Sequence, residues 1–292
     1  MKFILPQTRR GLKGAILFCA LLLLFSGCSQ EKPGRPLYRV ADRSHQSLSD
    51  VIFNNIDSKI FFVGEHHDNP HHHANQLELI REIHEVAEKP LAIGLEMFET
   101  RYQEDLDKWV NNTLPLDDFV GIYYENWDQP WIFYRDIFLY AREHRIPMVA
   151  LNIPRRVVRK VARQGFASLT TDDMAELPNG ITCDVTPEYK TFIKRVFDWH
   201  EQKKNSFNSF CEAQILWDTA MAINIVKYYV QDNPAKMVVL VGDGHARKPG
   251  IPRQISSRRN MAMTVFLPET PKLDRGSVSQ RDADYLWLFE AI

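Results

Sequence analysis

The chain has 292 residues, with 36 Lys and Arg against 37 Asp and Glu, and its length suits a single α/β domain. With no surplus of cations, nucleic acid is excluded as the expected partner, because phosphate binding needs an excess of Lys and Arg. Four cysteines without a CxxC pair give no zinc or redox motif.

Residues 1–27 carry Lys2, Arg9, Arg10 and Lys13 and no acid, then an apolar run over 15–25, then Ser26-Gly27 before Cys28. That order is a cleaved export signal, and its apolar centre is shorter than the roughly 20 residues a membrane-spanning helix takes. Leu24-Phe25-Ser26-Gly27-Cys28 resembles the bacterial lipobox, with Phe25 where Leu is usual. Lipid on Cys28 would hold the protein at a membrane of the bacterial envelope, and Ser29 resembles outer-membrane sorting in a Gram-negative cell. Removing residues 1–27 leaves 32 Lys and Arg against 37 Asp and Glu, so the mature chain is mildly acidic. Residues 28–45 are polar and bear Pro and Gly, and read as a membrane tether. One domain is expected over 46–292, with its core over about 48–268. Cys183 and Cys211 remain after processing, on separate elements, and their pairing is left open.

Four near-continuous apolar runs, at 59–64, 91–96, 147–152 and 236–242, read as parallel strands covered on both faces, and 261–268 and 285–290 as late strands. Helices are expected over 71–88, 131–144, 154–163, 188–202 and 206–231. The alternation predicts an α/β fold with a mostly parallel central sheet flanked by helices. The segment 101–129 and the two long helices after Pro187 exceed what crossovers need, and predict a helical subdomain or cap.

Each principal strand runs into polar residues: Glu65-His66-His67-Asp68 after the first, Glu96 at the end of the second, Asn152 at the end of the third, and Gly242-Asp243-Gly244-His245 after the fourth. Ligands of open parallel sheets bind outside the carboxyl ends of the strands, so Glu65, His67, Glu96 and His245 are expected in one crevice. Imidazoles and carboxylates together suit acid/base catalysis or a divalent metal, with His67, His245 and Glu65 as metal ligands. Taken singly, Glu65 can serve as a helix cap and Glu96 as the partner of a lysine. Within the His-rich stretch 66–73, Pro70 fits a helix's first position, which sets His73 on the face of Gln76. Arg155 and Arg247 follow strand ends and suit a ligand carboxylate, although surface solvation accounts for them equally. The aromatics of 123–134 have the spacing of a helical core, and Tyr134 is the one singled out as a haem ligand, since tyrosinate can hold haem iron. No G-x-S-x-G or HExxH motif is present.

Taken together, Gly64-Glu65-His66-His67-Asp68 with His73 and Gln76, Gly94-Leu95-Glu96-Met97-Phe98, Asn152-Ile153-Pro154-Arg155, Gln214 to Ala222, Gly242-Asp243-Gly244-His245 and Gly250-Ile251-Pro252 resemble the ChaN-type haem-binding lipoproteins of the Tiki and erythromycin-esterase-like superfamily. The resemblance is collinear over about 48–268. It implies haem as cofactor, a role in haem and iron uptake, and Tyr134 as iron ligand. The His-rich stretch departs from the simpler family pattern and offers His73 as an added haem contact, and Arg155 and Arg247 are the further cofactor contacts expected from their places after strand ends. By analogy it leaves room for a homodimer with cofactors between protomers and for an outer-membrane haem receptor as partner. The superfamily's hydrolytic branches leave catalysis open: if the chain is an enzyme, Glu65, His67, Glu96 and His245 would act in a metal-assisted or acid/base hydrolase. A divalent-metal-binding module built on the His-rich stretch is the third reading.

Overall fold

The apolar runs assemble into one eight-stranded sheet in a computed structural model that describes residues 36–86, 90–196 and 206–288. In chain order the elements are β1 (Leu37–Arg39), β2 (His45–Gln46), α1 (Leu48–Asn54), β3 (Ile60–Glu65), α2 (Pro70–Val86), β4 (Leu91–Glu99), α3 (Gln103–Val110), α4 (Leu116–Asn126) and α5 (Trp131–Glu143). They continue with β5 (Met148–Asn152), α6 (Arg155–Gln164), α7 (Thr171–Ala175), α8 (Pro187–Val196), α9 (Phe207–Asp232), β6 (Lys236–Gly242), α10 (Asp243–Ala246), α11 (Ile251–Ser256), β7 (Met263–Pro268) and β8 (Tyr285–Trp287). The strand order is β2-β1-β8-β7-β3-β6-β4-β5. Pairing is parallel from β8 across to β5 and antiparallel only at one edge, where β1 pairs with β8 and with β2.

Every residue of β3, β4, β5 and β6 is buried, as strands covered on both faces should be. Side chains alternate between the two cores. Phe61 and Val63 of β3 and Val238 and Leu240 of β6 join α2, α3, α4 and α5 on one face. Ile60 and Phe62 of β3 and Met237, Val239 and Val241 of β6 meet α9 and α11 on the other.

The expected α/β class and mostly parallel sheet are present, and the predicted helices begin and end within one or two residues of those observed wherever both ends are described. Three differences stand out. In the stretch read as a tether, residues 37–39 form β1, whose groups pair with β8 on one side and β2 on the other, so the described end of that stretch belongs to the sheet. Of the segment 101–129, Leu106, Trp109, Phe119 and Tyr123 sit directly in the core of one sheet face and not in a separate layer. The additional helical layer is built instead by α6, α8 and the first half of α9, in two small clusters of their own. Cys183 and Cys211 are both free thiols. The signal segment and Cys28 lie outside the described residues, and among the described residues no helix is long and apolar enough to cross a membrane.

One glycine sets how the site is closed. A Cβ on Gly64 would lie 2.7 Å from Leu267 Cδ2 and 3.0 Å from the Asp243 backbone, so only glycine lets the turn carrying His245 come down on β3.

Candidate functional site

Because β6 lies between β3 and β4, three strand ends meet, and Glu65 is in register with Gly242. A cavity of about 480 Å³ opens there, lined by Glu65, His67, Glu96, Asn152, Arg155 and His245 together with Trp127, Arg159, Gln214 and Trp217 among others. The four strand-end residues expected to converge do so. Tyr134, His73 and Arg247 are not among the lining residues.

Glu65 is the hub. Its carboxylate, 1% exposed, accepts from His67 Nδ1 at 2.8 Å, from Gln76 Nε2 at 2.6 Å and from the buried Tyr134 hydroxyl, while His73 Nε2 stands 3.4 Å away. Helical spacing brings His73 and Gln76 of α2 to the same carboxylate. Burial pushes the Glu65 carboxyl up, but His67 and His73 outweigh it and hold the group well below the usual carboxylate range. Burial pushes His67 down, and its bond to Glu65 with the charge of Glu96 brings the net shift above the ordinary imidazole value. For Tyr134, burial and then the Glu65 charge raise the phenol far above its ordinary value, so the tyrosinate form is disfavoured where the side chain stands. His73, buried against the Tyr134 ring at 4.1 Å, has no hydrogen-bond partner at Nδ1 among the described residues.

The opposite wall is a second histidine–carboxylate pair. His245 Nδ1 lies 2.7 Å from Asp218 Oδ1, and Asp218 Oδ2 accepts from Tyr189 at 2.6 Å. His245 Nε2 faces Glu96 Oε1 at 3.8 Å, and Glu96 Oε2 is fixed by the Gly242 N–H at 2.6 Å. Burial lowers the His245 imidazole, but its place between Glu96 and Asp218 lifts it to about 9. Gly242 also makes room across the site: a Cβ there would be 3.1 Å from His67 Cε1.

Two tryptophans wall the cavity. Trp127 meets His67 edge-on with ring centroids 4.9 Å apart, and Trp217 meets His245 likewise at 5.4 Å while donating to Asn152 Oδ1 at 2.6 Å. Arg155 stacks over Trp127 and pairs with Asp128, so it holds the α4–α5 loop against the cavity. Arg247 points elsewhere, buried between Asp243 at 3.2 Å and Asp282 at 3.5 Å. Sequence reasoning did not single out Asp218, Tyr189 or Trp217. Asp218 and Trp217 sit side by side in a helix motif, and the adjacency of a buried acid to a tryptophan was the available signal.

With Nδ1 of each histidine held by a carboxylate, Nε2 is the nitrogen left to meet a ligand, an iron or a transferable proton. Among the described residues, no group of three or more His, Cys, Asp or Glu is arranged to hold a metal ion.

Comparison with known proteins agrees with this architecture. The family described as "Haem-binding uptake, Tiki superfamily, ChaN" matches residues 54–255. A solved structure of ChaN from Campylobacter jejuni, with cofacial haem binding, is 19% identical, covers 87% of this chain and 96% of its own, and superposes with a TM-score of 0.66, which shows a common fold. An erythromycin esterase in its open conformation covers 80% of this chain and 76% of its own at 12% identity and a TM-score of 0.49. The chloroplastic protein RETICULATA-RELATED 5 of Arabidopsis thaliana is 21% identical over 258 residues, 80% of this chain, which spans about a third (34%) of that protein's length.

Proposed function

The chain belongs to the haem-binding uptake family ChaN of the Tiki superfamily, and from that premise we propose that it takes haem into the strand-end cavity, as an envelope lipoprotein serving haem and iron uptake. The observation that carries this reading is the His67 imidazole, 35% exposed and backed by the Glu65 carboxylate, on the wall of a cavity that also presents tryptophans and arginines. The volume is within the roughly 300–1,000 Å³ of small-molecule sites. His67 Nε2 would hold the iron, Trp127 and Trp217 would flank the apolar macrocycle, and Arg155 and Arg159 would meet the propionates. Haem when bound supplies its own iron chemistry, and the protein supplies ligand, charge and exclusion of water. Tyr134 enters this reading as a support of Glu65 rather than as the ligand, because its hydroxyl is buried and committed.

Lipidation at Cys28, outer-membrane placement, and an outer-membrane haem receptor as donor or acceptor belong to the same proposal, supported by the export signal in the sequence. Cofacial binding, as in the Campylobacter protein, would pair two such cavities across a homodimer. Labelled palmitate incorporated by cells into the chain, and absent in Cys28→Ala, tests the anchor.

The central experiment is a haem titration of the chain from Ser29 followed by visible absorption. Saturable binding with a Soret band displaced in His67→Ala and unchanged in position in Tyr134→Phe is expected. Binding no tighter than to an unrelated acidic protein would overturn the haem reading, and a band displaced only in Tyr134→Phe would return the ligand to that tyrosine.

A second reading has its own observation: two imidazoles, each oriented by a buried carboxylate, with Glu96 beside His245, form an acid/base set suited to hydrolysis. Turnover of an ester, lactone or peptide that disappears in His245→Ala is its test, and inactivity across such a panel with and without Zn, Mn and Co removes it.

A further inference from the structure

A second cavity, of about 470 Å³, is bounded by the segment before α8, by α8 itself, by α9 and by α11. Arg253 and Arg258 of the α11 region line it, with the hydroxyls of Thr182 and Thr186 and the single carboxylate of Asp184. Among the described residues neither guanidinium has a carboxylate within salt-bridge distance, and the bonds of Arg258 go to Gln254 and Ser257. Glu188 is close enough to feel the charge of Arg253 without forming a contact ion pair. Two guanidiniums free of a contact carboxylate, beside hydroxyl groups, are a donor set that recognises phosphate or carboxylate oxygens.

The link to the first site is Tyr189. It lines the second cavity, its backbone N–H is bonded to Thr186 Oγ1 at 3.2 Å, and its hydroxyl donates to Asp218, which holds His245 of the first cavity. From these contacts we infer a second ligand site: the cavity binds a small oxyanion-bearing molecule, and its occupation is relayed through Thr186, Tyr189 and Asp218 to His245. An anion that draws Thr186 toward the arginines displaces the turn carrying Tyr189, and the Asp218 carboxylate follows the hydroxyl bonded to it. The inference does not depend on what occupies the first cavity.

The test is a titration of the chain from Ser29, labelled with ¹⁵N-histidine, against inorganic phosphate and, in parallel, citrate, reading the His245 ring resonances by NMR and binding by calorimetry. Saturable binding of at least one probe is expected, with a His245 shift of the same midpoint. Arg253→Ala should weaken binding about tenfold, the scale of one charge-assisted contact. Tyr189→Phe keeps the ring and removes only the hydroxyl bonded to Asp218, so at saturating probe the His245 shift should collapse. If Tyr189→Phe does not fold, the exposed Arg253→Ala still decides, through the matched loss of binding and shift. No saturable binding of either probe, binding without a His245 response, or a wild-type response in folded Tyr189→Phe each overturns the inference.

Discussion

Glu65→Gln removes one charge from the hub of the site while keeping its shape. In the wild-type chain the carboxylate is an acceptor for three donors, His67, Gln76 and Tyr134, with His73 close by. A glutamine amide can accept through one oxygen only, and its NH2 then faces a donor, Gln76 Nε2 at the site of the present 2.6 Å bond or the His67 and Tyr134 pair on the other side. Breaking a buried ion pair from one side costs about 3–5 kcal/mol. At about 2–4 °C per kcal/mol for a domain of this size, the melting temperature should fall by roughly 6–20 °C. The pH profile changes with it. The depressed Glu65 carboxyl contributes stability that is present above its ordinary value and is lost as pH falls through the folded value, and the raised His67 contributes stability present below its ordinary value and lost as pH rises through the folded one. In the variant that plateau should flatten, and His67 should titrate lower, since the charge of Glu96 then opposes burial without that of Glu65. Urea melts between pH 4 and 9 with histidine NMR measure both. A loss below about 1 kcal/mol, the net value of an ordinary hydrogen bond, together with an unmoved His67 titration, would refute the assignment of Glu65 as hub.

Asp218→Asn should bring the His245 titration down from about 9 toward the ordinary imidazole value, because one of the carboxylates that raise it, and the one bonded to Nδ1, is gone. The stability that His245 contributes is present below its ordinary value and lost as pH rises through about 9, so the variant should lose most of the difference in melts between pH 7 and pH 10. Gly242→Ala places a methyl 3.1 Å from His67 Cε1, and should displace that ring, cost about 1–3 kcal/mol and weaken haem binding; a crystal structure with His67 unmoved would count against it. On the open edge of the sheet, Gln103 accepts from Ala150 N and donates to Met148 O, both at 2.8 Å, and so occupies the hydrogen-bonding groups of β5. Gln103→Ala should cost about 1–2 kcal/mol and promote edge-to-edge association, seen as a concentration-dependent mass in sedimentation; a monodisperse variant removes the edge-guard role.

How much of this was legible in the sequence follows from where each signal is local. The strands were readable because both faces of β3, β4, β5 and β6 are covered, which leaves nearly unbroken apolar runs. Glu65, Glu96 and His245 were readable because polar residues at the ends of such runs converge by topology. For Asp218 only its place beside Trp217 spoke: α9 is buried on most sides around its middle, so an acid there carries no face signal, and its partner is 27 residues away. Arg247 was expected at a ligand and instead turns toward Asp282, 35 positions on, a pairing that only the tertiary fold creates. The strand β1 is three residues long in a polar context, and only the partners on either side make it a strand. Tyr134 lies among aromatics at helical spacing, and periodicity says which face is buried without saying that this one hydroxyl ends on Glu65.

The two histidine–carboxylate pairs look alike in composition, but their environments separate their roles. His67 has one carboxylate at Nδ1 and an exposed ring edge, whereas His245, 8% exposed, has a carboxylate facing each nitrogen. A ligand that needs a ring nitrogen must therefore take it from His67, because taking it from His245 also breaks the approach of Glu96. His245 is then best used as a fixed positive charge beside the bound molecule. That division suits a site that holds an anionic cofactor through one ligand and one counter-charge. A hydrolase acting through the same residues would have to use His245 as its acid, since an imidazole held protonated up to about pH 9 is a poor base near neutrality. The pH dependence of any turnover thus separates the two readings within the same cavity: activity falling as pH rises through about 9 assigns His245 to proton donation, and haem affinity falling over that range with no turnover assigns it to charge alone.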